Sequence, residues 1–81
     1  GSPTIPEGST VIVEPHYGSV EELSGRIVVA MIDGSSEATI KKLVIDGPNK
    51  YLMPLNPNFK PIEIDGNCRI IGRVVQVTQD L

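Results

Sequence analysis

Apolar and β-branched residues in this chain come in short runs, each closed by turn-forming residues, and no run keeps a 3.6-residue period. The opening GSPTIPEGS reads as a loop of residues 1–9 feeding a first strand, Thr10-Val11-Ile12-Val13-Glu14. Pro15 ends that strand, since proline has no N–H for a ladder and restricts the residue before it. A long connection, PHYGSVEELSG, has room for one helical turn between Val20 and Leu23. Residues 26–32 are apolar on both faces of a pleat, which predicts a central strand. Asp33-Gly34 is a hairpin signal leading into residues 38–44, and Asp46-Gly47 turns the chain again into residues 50–55. Residues 56–61 are too rich in Pro and Asn for regular structure. Ile62-Glu63-Ile64 alternates briefly, Asp65-Gly66-Asn67 turns, and residues 69–77 form the longest strand. Gly72 in the middle of that strand predicts a bulge or a close backbone approach. The pattern predicts an all-β domain, with small mixed or antiparallel sheets forming a partly closed barrel.

Eighty-one residues make one domain or part of one, and a chain this short buries only about 60–65% of its unfolded surface. Aromatic residues are 4% with no Trp, so the core has to be aliphatic. A net charge of −3 disfavours a surface that tracks phosphates, and Tyr17, Tyr51 and Phe59 do not interleave with a basic patch. The chain alone is therefore not expected to bind nucleic acid. The single Cys68 excludes an internal disulfide, suits a reducing, cytoplasmic setting, and reads as a small buried hydrophobe. His16 has no Cys or His companions, so no metal site and no cofactor are expected. No run is long enough to span a bilayer, and no membrane partner is expected. Gly1-Ser2 is compatible with an expression scar.

The candidate chemistry lies in Ala38-Thr39-Ile40-Lys41-Lys42-Leu43-Val44, two lysines set inside an apolar run. Strand alternation gives Thr39, Lys41 and Leu43 one face and Ile40, Lys42 and Val44 the other. With apolar residues on both faces, one lysine is expected in a drier setting than the other. Burial disfavours an ammonium and can lower its pKa by roughly 3–5 units. A neutral lysine can take the proton of a serine hydroxyl, which is the Ser-Lys form of nucleophilic catalysis. The competing reading is two solvated lysines on an edge strand, where they discourage unwanted pairing.

Several segments, in order, resemble the C-terminal domain shared by LexA and the self-cleaving phage repressors. They are Ile5-Pro6-Glu7-Gly8 with Val11-Ile12-Val13-Glu14-Pro15, then Gly25-Arg26-Ile27-Val28-Val29-Ala30, then Glu37-Ala38-Thr39-Ile40-Lys41-Lys42-Leu43. Pro54-Leu55-Asn56-Pro57-Asn58-Phe59-Lys60-Pro61-Ile62 and Ile70-Ile71-Gly72-Arg73-Val74-Val75 complete the likeness, which spans nearly the whole chain. Its most specific part is the Thr-x-Lys-Lys-Leu run followed by Pro-Leu-Asn-Pro, and the wording is closest to lambdoid-type repressors. Arg26 departs from it, since the family often has an acid after the glycine.

The resemblance implies a LexA- or signal-peptidase-like fold and a two-domain parent. In such a parent an N-terminal helix-turn-helix domain binds operator DNA, and the C-terminal domain forms a homodimer. The C-terminal domain also cuts its own chain between the domains, assisted by an activated recombinase filament. A serine attacks and a lysine is the general base. The family pattern puts that base at Lys41, with Lys42 as its neighbour. The family's serine lies in a Ser-Met pair upstream of the Pro-Glu-Gly turn, and this chain has no Ser-Met pair. Ser2, Ser9, Ser19, Ser24, Ser35 and Ser36 match no nucleophile position. The chain by itself is thus expected to lack the nucleophile and to be proteolytically inert. Its remaining role would be self-association through the closing strand, with Ile70, Ile71, Arg73, Val75 and Val77 as the dimerisation candidates. The alternative is a non-enzymatic small β-barrel that binds a protein or peptide along a sheet edge.

Overall fold

A computed structural model describes residues 5, 8–33, 36–56 and 58–78. Its elements are β1 (Thr10–Glu14), one 3-10 turn (Val20–Leu23), β2 (Ile27–Ile32), β3 (Ala38–Asp46), β4 (Asn49–Pro54), β5 (Ile62–Glu63) and β6 (Cys68–Thr78). The strand-forming runs end where the sequence says they should. β1 stops at Pro15, and β3 and β4 are joined at Gly47, whose φ of 60 suits a residue without a Cβ. Proline 54 is tolerated in β4 at the strand's last position.

All six strands form one antiparallel sheet in the order β1-β6-β2-β3-β4-β5. The expected β class holds, and the apolar second strand is central, between β6 and β3. The expected small sheets and partly closed barrel take the form of a single open sheet. Its outermost strands, β1 and β5, do not pair with each other. Covering one face, rather than closing a ring, is what makes the core.

That cover is the connection between β1 and β2. Leu23 of the 3-10 turn packs with Val28, Ala30, Leu43 and Leu52, and Tyr17, Val20, Ile45, Ile62, Ile64, Cys68 and Ile70 surround them. Burying branched aliphatic side chains stabilises by about 1.5–3 kcal/mol each, so these few residues supply much of the fold's driving force. The connection is tied down at both ends. The Tyr17 hydroxyl donates to the Ile70 carbonyl at 3.0 Å. Gly25 N–H donates to the Leu43 carbonyl at 2.7 Å, and Leu43 N–H to the Arg26 carbonyl at 2.9 Å. Midway, Lys50 of β4 reaches Glu21 at 3.4 Å. A backbone hydrogen bond within Glu21 itself, and then the Lys50 ammonium, hold the Glu21 carboxyl below its usual range.

β6 is bulged twice, once against each neighbour. Ile71 is the extra residue between the Val29↔Gly72 and Ala30↔Ile70 pairs, and Val75 is the extra residue between Ile12↔Gln76 and Val13↔Val74. Gly72 is the close approach expected from the sequence. A Cβ there would lie 2.6 Å from the Glu14 carbonyl oxygen and 2.7 Å from Val13 Cγ1.

Candidate active site

Lys41 sits on β3 opposite Val28 of β2 and opposite Pro54 of β4. Alternation gives it the same face as Leu43 and Ile45, which belong to the covered core. The row continues across the sheet, because Val28 pairs with Arg73 of β6 and Arg73 with Glu14 of β1. Glu14, Arg73, Val28, Lys41 and Pro54 therefore line up across the sheet, with the fully buried Val28 between the two cations. Arg73 had entered only as a dimerisation candidate. Its alignment with Lys41 depends on β6 lying between β1 and β2, a pairing no local pattern encodes.

Lys42 lies on the other face, opposite Ile27 and Met53, beside Ile40 and Val44. Burial does not separate the two lysines, since both are half-buried. What separates them is the face, and Lys41 has the one that carries the core. β3 is paired along both sides, to β2 and to β4, so it is not an edge strand and the edge-protection reading of its lysines does not apply. The two ion pairs described, His16–Glu14 at 3.1 Å and Lys50–Glu21 at 3.4 Å, involve neither lysine. An amine on a strand paired on both sides has a fixed backbone mount, the requirement for holding a proton acceptor at a set point.

The remaining candidates fall in several places. His16 is exposed and bonded to Glu14. Cys68 packs partly against the core, and burial, then Asp33 and Asp65, push its thiol up. Among the described residues, no group of three His, Cys, Asp or Glu is placed to hold a metal ion. No described helix is long and apolar enough to cross a membrane. Ser2 and Ser35 lie outside the described residues, as does Gly1. Ser9, just before β1, has a buried Oγ with no hydrogen-bond partner among the described residues, a feature its sequence position did not announce. Of the dimerisation candidates, Ile70 packs against the core, Ile71 and Arg73 are half-buried, and Val75 and Val77 are 51% and 43% exposed.

An all-β scaffold carrying Thr-x-Lys-Lys-Leu on a central strand agrees with the sequence comparison, and the chain belongs to the Peptidase S24-like family, whose profile matches residues 2–75. Its relatives are transcriptional regulators and repressors. It is 51% identical over 80 residues to the HTH-type transcriptional regulator for conjugative element SXT of Vibrio cholerae, covering 99% of this chain and 36% of that protein. To Repressor protein C2 of Salmonella phage P22 it is 53% identical over 72 residues, covering 89% of this chain and 32% of that protein. To LexA repressor 2 of Nocardia farcinica it is 47% identical over 58 residues, covering 72% and 23% respectively. The chain thus spans about a third of the length of the first two relatives.

Proposed function

We propose that this chain is the C-terminal self-cleavage and dimerisation domain of a phage-type, LexA-like repressor, with Lys41 as the general base. The observation that carries the reading is the position of Lys41 on the core-bearing face of a central strand, within a chain of the S24-like family. In the parent, a serine supplied from upstream attacks a peptide carbonyl between the domains. The Oγ–C bond forms as Lys41 Nζ takes the hydroxyl proton, and the same proton then leaves with the amine as the C–N bond breaks. The base alone performs no chemistry, because nucleophile and base act as a unit. The 81-residue chain by itself is accordingly inert. Operator DNA would be bound by the parent's other domain and cleavage assisted by a recombinase filament, in the cytoplasm.

The test uses a parent chain extended upstream through the Ser-Met pair. It should cleave itself faster as pH rises, as a reaction that needs an unprotonated base does. Lys41→Ala should abolish cleavage, while Lys42→Ala should leave it within a few-fold of wild type. Cleavage at the wild-type rate in both variants would remove Lys41 from the mechanism.

A further inference from the structure

Val28 faces Lys41 on one side and Arg73 on the other, so the two cations stand on one face of the sheet. Two strand spacings of about 4.8 Å put their Cα atoms roughly 10 Å apart. Arg73 is half-buried on β6, a strand paired on both sides, so its backbone is as firmly mounted as that of Lys41. Among the described residues it takes part in no ion pair and no side-chain hydrogen bond. Glu14 is the one acid in the row and stands opposite Arg73 in register. Its carboxylate is turned to His16 instead, accepting from the His16 N–H at 3.2 Å and lying 3.1 Å from Nδ1.

The two cations differ in how they tolerate a chain laid over them. A lysine acting as a base is neutral when it reacts. A guanidinium keeps its charge at any working pH, and covering it without a counter-ion is costly. Its planar fork matches a carboxylate with two parallel hydrogen bonds. We propose that Arg73 is a specificity residue of the candidate site, pairing with a carboxylate of the peptide segment on which Lys41 acts. The inference rests on the proposed self-cleavage and adds a chemical requirement to its substrate, an anion within reach of Arg73. That carboxylate is either an acidic side chain of the segment or the chain end that hydrolysis releases. Both bring the same charge to the same guanidinium.

The test is calorimetric titration of the 81-residue chain with a synthetic peptide carrying the parent's interdomain sequence up to the scissile bond. Three forms are compared: the free acid, the C-terminal amide, and the free acid with its Asp and Glu changed to Asn and Gln. The free acid should bind, and one of the two neutralised forms should bind at least tenfold more weakly. A loss confined to the amide identifies the chain end, and a loss confined to the Asn and Gln form identifies a side chain. These arms use the unaltered protein, so they stand even where a variant fails to fold. Arg73→Gln should weaken the free acid at least tenfold and erase the difference between the forms, while Arg73→Lys should keep part of it. Lys60→Gln, which removes an exposed cation outside the row, should change nothing. No saturable binding up to about 1 mM, equal binding of all three forms, or indifference to Arg73→Gln would each overturn the inference. So would an equal loss in Glu14→Gln, which would make the cross-strand acid the partner of Arg73. A Lys41→Ala parent that still cleaves would remove the base and leave the Arg73 pairing standing, and peptides indifferent to Arg73 would do the reverse.

Discussion

The centre of the sheet and its β1–β6 arm are made of the same kinds of residues and finished in opposite ways. In the centre, Val28, Ala30, Leu43 and Leu52 are completely buried under the 15–26 connection. On the arm, Ile12, Val75 and Val77 are about half exposed although they are equally apolar. The difference lies in what covers them rather than in the side chains. The connection lays Tyr17, Val20 and Leu23 over the central strands, and Tyr17 is bonded to Ile70 at the inner end of β6. The candidate base therefore shares its strand face with the covered core, whereas the arm keeps apolar side chains open to solvent.

The contrast can be broken most forcefully by truncating one side chain on each side of it. Leu43→Ala should destabilise by about 2–5 kcal/mol through lost burial and the cavity left behind, whereas Val77→Ala should cost well under ~1 kcal/mol. Urea unfolding of the two variants checks this, and equal losses would erase the distinction. A smaller effect is expected where arm and centre meet. Gly72→Ala puts a methyl group 2.6 Å from the Glu14 carbonyl, so β1 has to move, at a cost of about 1–3 kcal/mol. Faster amide exchange over residues 10–14 than over β3 would locate that damage on the arm. The smallest effect belongs to Tyr17→Phe, which removes the bond to the Ile70 carbonyl and should lower stability by about 0.5–1.5 kcal/mol. Its thermal midpoint should fall by several degrees at most, and an unchanged midpoint would mean the cover is held by packing alone.

Much of this arrangement is legible from residue order, and the illegible part has a common cause. Pro15 fixes the end of β1, Gly47 the β3–β4 turn, and the two-sided apolar character of residues 27–32 the centrality of β2. Gly72 announced its bulge and close contact. Alternation separated Lys41 from Lys42 but did not say which face would be covered. That depends on Leu23 and Val20, which sit in a 3-10 turn too short to show any period. The resemblance alone singles out Lys41, and the structure adds only that Lys41 shares the covered face with Leu43. The open sheet in place of a barrel was equally hidden, since strand order follows from pairings between distant segments. The row from Glu14 to Pro54 is invisible for the same reason: no local rule brings residue 73 beside residue 28.

The register of β1 also sets a schedule for the chain. β2, β3 and β4 meet through short turns and can zip together as soon as they exist, but Thr10 waits for Thr78 and Glu14 for Arg73. Closing so long a loop is entropically slow compared with forming hairpins. β1 is thus the last strand seated, and until β6 is in place it remains a loose ribbon beside an already assembled hairpin stack.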